Sequence, residues 1–511
     1  MVILLFYDSV VELGDVSVEA DSDETLHNYA GLLAGAGSAT ASVGLGATVV
    51  VNTINGNTVA EIQNGALQAD DVDVYAHNMR RVNSSQTGIG VAVSAEGAGT
   101  VVGSVSVHDL EGTTKALVHN VNGSVHSLDV KAERDNDIDT YNNGFALSGA
   151  IGSASVGAGV TVLNDKSATL ATLSSSKLTA SGSKDATNKV QVTADNNTDV
   201  HTEVSTNALA VSLGAALGVT VEVVNLDAQT STNVIGSELG TASRGFAGFD
   251  ATATNVVASS FENAETAIST AVGIGVGVGV LNINTQTTTV VDNAKAYADN
   301  INIAADETRN VQTALAGVNA GAGNVGVNLM YTNIGGQLQD VYSYDYGDGK
   351  TQKEYCTTKT DDSGLALSAS VQGLANDALA TTKADVHKLE SNGLVASGSS
   401  GNAILQAVNK GSGAGKVETR ITGGSELHAA QSLAVEAQTT NNVTGGVYQG
   451  AVAAVNVGVM ANRIDVQENQ QVVLDNSTLI ANKVNVDADV LGYVNSTMGM
   501  GVVGAVGYSD V

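Results

Sequence analysis

Residues 58–76 read TVAEIQNGALQADDVDVYA and divide into three short alternating runs. Thr58, Ala60 and Ile62 alternate with Val59 and Glu61. Ala66–Ala69 follow an Asn64-Gly65 corner, and Val72, Val74 and Ala76 follow Asp70-Asp71. Alternation with a period of two indicates half-buried strands, and the N-G and D-D steps mark turns between them. Three strands in about 20 residues predict one triangular coil, which buries its apolar face by stacking parallel on similar coils about 4.8 Å away.

Outward from this stretch the module returns as TKALVHNVNGSVHSLDVKA at 114–132, VETRITGGSELHAAQSLAVEA at 417–437 and VVLDNSTLIANKVNVDA at 472–488. Its ending, of the form V-x-V-x-A, recurs at Ala20, Ala76, Ala132, Ala194, Ala253, Ala305, Ala437 and Ala488. Six of the seven intervals lie between 51 and 62 residues, a range typical of repeat architectures. The expected fold is all-β: an elongated right-handed parallel β-helix, or β-solenoid, built from degenerate repeats of about 51–62 residues.

Composition agrees. An average chain of 511 residues carries roughly 25 prolines, and this one carries none. Proline cannot donate to a β-ladder, so a chain made almost entirely of interior strands excludes it. Aromatics are only 4% and tryptophan is absent, so the core must rest on Val, Ile, Leu and Ala.

Between the modules lie more apolar blocks, among them GIGVAVSAEGAGTVVGSVSV at 88–107, ASVGAGVTVLN at 154–164 and AVGIGVGVGVLNIN at 271–284. In the last, Gly273, Gly275, Gly277 and Gly279 hold one face and Val272, Ile274, Val276, Val278 and Val280 the other. A strand face made of glycine lets another backbone layer approach closely. Such blocks fit either a wider coil of the same solenoid or an antiparallel pair packed on its side. The continuous coil is favoured, because inserted hairpins show turn chemistry at their tips.

One interval breaks the rhythm, the 132 residues from Ala305 to Ala437. The expected organisation is repeats over 1–337, an insertion with a degenerate repeat (NAILQA, ending at Ala407) over 338–400, and repeats again over 401–511, the whole being a fragment of a longer chain. The insertion contains VYSYDYGDGKTQKEYC, with Tyr342, Tyr344, Tyr346 and Tyr355. Insertions in solenoids loop out from one face and form contact surfaces, so these four tyrosines are the candidate partner contacts. Downstream, QGLANDALATTKADVHKLESNG fits either a short helix or another coil.

The chain holds 52 acidic and 22 basic residues, a net charge of −30. Such a surface is self-repelling and unsuited to nucleic acid, whose binding needs Lys and Arg against phosphates. No apolar run is long enough for a spanning helix, and the aromatic girdles of membrane barrels are missing, so no membrane insertion is expected. Cys356 is the sole cysteine, which rules out an internal disulfide framework. In its loop it reads as a free thiol.

No motif points to catalysis or a cofactor. Asp135, Asp137, Asp139, Tyr141 and Asn143 weakly resemble a calcium loop, but Thr140 and Ala146 stand where an EF-hand needs glycine and glutamate. An acidic outward strand face is the favoured reading, with calcium a weak alternative. The eight histidines lack zinc spacing and read as solvated strand positions. The G-x-G runs alternate within strands and open no helix, so they are structural. Arg80 and Arg81 should point to opposite faces of one strand.

Runs of the form T-x-A-x-I…S-x-L-x-A…V-x-V-x-A, alternating with Gly/Val/Ala blocks and without Pro, resemble the repeat region of large bacterial filamentous haemagglutinin-type adhesins and leukotoxin-like filamentous proteins. The resemblance covers nearly the whole chain apart from the insertion. It implies a shaft displayed on, or shed from, a bacterial cell, where it meets host cell surfaces, matrix or other bacterial surfaces, with lateral self-association left open. The resulting expectation is a non-enzymatic adhesin segment, extracellular or on the outer surface. A leukotoxin-like cytotoxin and a polysaccharide-degrading β-helix are the alternatives.

Overall fold

The computed structural model describes residues 14–211, 214–335 and 415–503, together with the backbone of the strands Val2–Leu5, Val10–Glu12, Tyr342–Asp345, Thr351–Glu354 and Val506–Asp510. Among the described residues there is one large sheet of 21 strands, every pairing in it parallel, and no helix.

Its register follows the alanine rhythm. Ala20 pairs with Ala76, and the column continues through Ala132, Ala194, Ala253, Ala305 and Ala437 to Ala488. Eight layers therefore stack with their equivalent residues one above another. The long interval is no exception: Ala305 pairs directly with Ala437, so the layers on either side of residues 336–414 are hydrogen-bonded neighbours. The degenerate copy at Ala407, the stretch from Gln372, and Cys356 lie outside the described residues.

The stacking unit differs from the expected one. Thr58–Ala76 does not close into a coil of its own but pairs over its length with Thr114–Ala132 of the next repeat. One layer thus consumes a whole repeat, and each glycine/valine block belongs to the same layer as its neighbouring module. Eight layers at about 4.8 Å make a stack roughly 40 Å high, far shorter than 20-residue coils would give.

Each layer has two parts. In the module, the corner at Asn64 turns through a left-handed residue, and so does every layer above it: Asn64, Asn120, Ser175, Gly236, Asn293, Gly423 and Asn476 all have positive φ. Pairings on either side place these seven in one column. Only glycine, and asparagine with its short polar side chain, visit this conformation readily. The Asn120 amide also donates to Asn64 Oδ1 at 2.9 Å. Variation in repeat length gathers at another corner, where Ser181–Asn188 changes the pairing offset from Ala180 to Val190.

The second part is a flattened arm. Residues near 78–93 run out, turn where Gly97 N donates to Ser94 Oγ (3.0 Å), and run back near 98–110. The two walls face each other: Thr100 Oγ1 donates to Leu147 O, and the Asn142 amide to Val160 O. The arms are hydrogen-bonded layer to layer in parallel, which supports the wider coil over a side-packed antiparallel pair.

The two largest apolar cores lie in the module, with Ile62, Val72, Val130, Val192, Phe249 and Ile303, and at the root of the arm, with Val82, Ile138, Leu163, Phe261, Leu281 and Leu315; a smaller valine cluster lies on the returning wall. Between the two largest runs a buried polar seam holding Arg80, Arg134 and Arg309, all fully buried. Burying a charge is costly unless it is paired or hydrogen-bonded; Arg134 donates to the Gly112 carbonyl at 3.1 Å. Arg80 meets Glu24 at 2.9 Å, and Arg309 meets Glu307 and Glu468, each at 2.9 Å.

The inward glycines act differently from expectation. At Gly273 the space for a side chain is taken by backbone, the Ala267 and Ala320 carbonyls. At Gly275, Gly277 and Gly279 it is taken by large side chains from neighbouring strands: Glu265, Leu315, Phe261 and Met330. The glycine face receives a core as much as it admits a backbone.

Candidate contact surfaces

Of the four tyrosines singled out in the sequence, Tyr342 and Tyr344 lie on a short strand whose backbone pairs antiparallel with Thr351–Glu354, in a hairpin separate from the main sheet. Tyr346 and Tyr355 lie outside the described residues. The surfaces that can be built from side chains are on the outer walls of the arm.

The first wall carries the acidic face. Asp135, Asp137, Asp139 and Tyr141 point outward, as alternation requires, while Arg134, Asn136 and Thr140 point in. Arg81 is likewise outward, 3.5 Å from Asp23, opposite to its buried neighbour Arg80. Parallel register sets like charges above one another: Asp73 over Asp129, Asp137 over Asp199 and Glu203 over Glu262. Burial, and then Asp73, raises Asp129 above the usual carboxylate range; burial and then Asp137 does the same to Asp139. Stacked like charges destabilise a sheet, and each of these pairs is only two layers deep, being followed by Gln191, Ala258 or Ala314.

Hydrogen-bonding side chains and one lysine lie among these carboxylates. His77 sits between Asp21 (2.9 Å) and Asp135 (3.4 Å). The Tyr75 hydroxyl and Lys131 Nζ both donate to Glu133, at 2.5 and 2.8 Å, and against the effect of burial these bonds hold its carboxyl below the usual range. Among the described residues no cluster of three or more His, Cys, Asp or Glu is arranged to hold a metal. The weak calcium expectation at 135–143 therefore gains no geometry.

Farther up the same wall the charges give way to a shallow hollow of about 330 Å³. Register explains it. In the column Glu262, Ala314, Gly446, Thr497 the middle two residues have little or no side chain. Tyr448 folds across the gap: a side chain on Gly446 would strike its ring, and its hydroxyl lies 2.9 Å from Thr497 Oγ1. The ring thus lies along the sheet, 47% exposed, with Gln312, Thr444 and Glu262 around it. An aromatic plane ringed by hydroxyl, amide and carboxylate suits a ligand with one apolar face and a polar edge.

The opposite wall presents valines. Val49, Val105, Val160, Val221 and Val278 form one column, and Val51, Val107, Val162, Val223 and Val280 the next. They are exposed in the first layer, Val51 by 62%, and buried in the third and fourth, where Val223 is 0% exposed. Above their ends an amide ladder climbs: Asn164 donates to Asp109, Asn225 to Asn164 and Asn282 to Asn225 at 2.7–2.8 Å. Stacked asparagines of this kind reinforce in-register layers.

Sequence reasoning missed two kinds of residue. Tyr448 is single and belongs to no tyrosine cluster; only the alignment of Gly446, Ala314 and Gly499 around it, visible once the register is fixed, marks it out. His108 also departs from the solvated reading. It shares the inward phase of Ser104 and Ser106, is fully buried, and burial pushes it down to about 4, the imidazole resting 3.0 Å from the Asn52 amide.

In comparisons with known proteins, no family model, no curated protein and no solved structure matches the chain.

Proposed function

We propose that the chain is a right-handed parallel β-helix serving as a non-enzymatic adhesin, exported by a bacterium and acting at or beyond its outer surface. Right-handedness follows from the strong preference of parallel strand crossovers for that hand. The observation that carries the reading is the unbroken alanine register over eight layers, which gives a stiff body whose outer walls hold residues at fixed spacings, as a display scaffold requires. Tyrosines are favoured in interfaces, and two settings offer them: the hollow at Tyr448 and the insertion hairpin beginning at Tyr342. Host cells, matrix or other bacterial surfaces are the proposed partners.

The test uses beads coated with the purified chain. They should attach to host cells or matrix, with attachment falling at least fivefold for Tyr448→Ala or on deletion of 340–362. Beads that do not attach, or chain that lyses target cells or releases sugar from acidic glycans, would replace the adhesive reading with a cytotoxic or enzymatic one.

A further inference from the structure

Two glutamates sit inside the arm where no described residue neutralises them. Glu222, on the returning wall of the fourth layer, is fully buried, and neither carboxyl oxygen has a hydrogen bond of good geometry. Glu265, on the outgoing wall of the fifth, is 1% exposed; Oε1 accepts from the Asn319 amide at 3.3 Å, while Oε2 has no partner. It occupies the room left by Gly275 and Gly317, where a side chain on either would collide with its carboxyl.

Among the described residues, the walls packed against them bring no free cation. Inward positions of 198–210, 216–226, 257–269 and 273–283 are Gly, Ala, Val, Leu, Ile, Phe, Ser, Thr and Asn apart from the two glutamates. On the adjoining wall Arg309 is already engaged by Glu307 and Glu468. Outside the wall stand Glu203 and Glu262, which add negative charge. A carboxylate in such a place costs far more than a carboxylic acid, so both groups are held neutral.

We propose that the arm of layers four to six is a proton-held clasp: Glu222 and Glu265 close the two walls as neutral acids, and their ionisation lets the walls part. The module core and the alanine column lie outside the arm and stay intact. The transition is therefore local and affects the surface that the outgoing wall presents at Glu262 and Gln312.

Burial pushes Glu265 up to about 8, with Asn319 and Asn328 opposing, and pushes Glu222 well above the usual range, with the Thr202 hydroxyl opposing. In both, the folded state holds its proton more tightly than the unfolded chain. The stabilising effect of each is complete below the ordinary glutamate value near 4.5; that of Glu265 is lost as pH rises through about 8, and that of Glu222 is lost as pH rises through its own raised value.

Hydrogen exchange on the full chain tests this. Amide protection over 202–226 and 261–283, corrected for intrinsic rates, should fall at least tenfold between pH 6 and 9.5, while protection at 58–76 and 114–132 holds. The Glu222→Gln/Glu265→Gln variant should keep its arm protection within twofold over the same range. Equal protection at both pH values in the unaltered chain, or the same loss in the variant, would overturn the proposal. Should the variant not fold, the infrared carbonyl band of protonated carboxyl groups decides: it must be present at pH 7 and gone by pH 9.5, and its absence at pH 7 would overturn the clasp.

Discussion

At Asn64 the chain must take a left-handed step, and the same step recurs at Asn120, Ser175, Gly236, Asn293, Gly423 and Asn476. Asparagine and glycine fill six of these seven places; Ser175 is the misfit. A β-carbon in this conformation costs roughly 1–2 kcal/mol, which asparagine partly recovers through local hydrogen bonds. Ser175→Gly should therefore stabilise the chain by about 1 kcal/mol in urea unfolding, and Asn120→Val, which also breaks the amide contact to Asn64, should destabilise it by about 2 kcal/mol. The N-G corner was legible at Asn64 and Asn120 because the residue type announces the conformation. At Ser175 it was not, since serine carries no such signal and only the register reveals its company.

The paired strands of the arm show how phase decides what a glycine means. Gly279 faces inward, and a side chain there would meet Met330 and Phe261; Gly103 faces outward, and a β-carbon there would meet nothing within 4 Å. Gly279→Val should cost about 3 kcal/mol by overpacking, while Gly103→Ala should be neutral or stabilise by about 0.5 kcal/mol, thermal melts of the two separating the cases. The alternation in 271–284 was readable from sequence; which face looked inward was not. Valine usually marks the core side, and here it takes the face opposite Glu265, Leu315 and Phe261, where Val276 and Val280 are buried in a separate valine cluster. Glu222, in the run VTVEVV, shares the phase of Gly218 and Thr220, and that phase was the available hint that this acid is buried.

For the whole molecule the sequence supplied the period but not the size of one turn. Short alternating runs look alike whether three of them or a full repeat close a layer, because most joins within a layer lack turn residues and simply continue as strand. The register resolves this, and it also fixes what the insertion contributes. Gly415 N donates to Gly335 O at 2.7 Å, so the two ends of residues 336–414 meet at adjacent backbone positions, while Lys295–Ile334 pairs with Glu426–Val466 along its length. Closing a gap between touching ends needs only a few residues. A chain in which residues 338–412 are replaced by a short glycine-serine linker should therefore keep its β-type circular dichroism, a cooperative melt, and a scattering profile with one dimension near 40 Å for eight layers at about 4.8 Å each. Loss of the cooperative melt would mean that the stack depends on the insertion. A dimension near 100 Å would mean that the layers are the smaller, 20-residue coils.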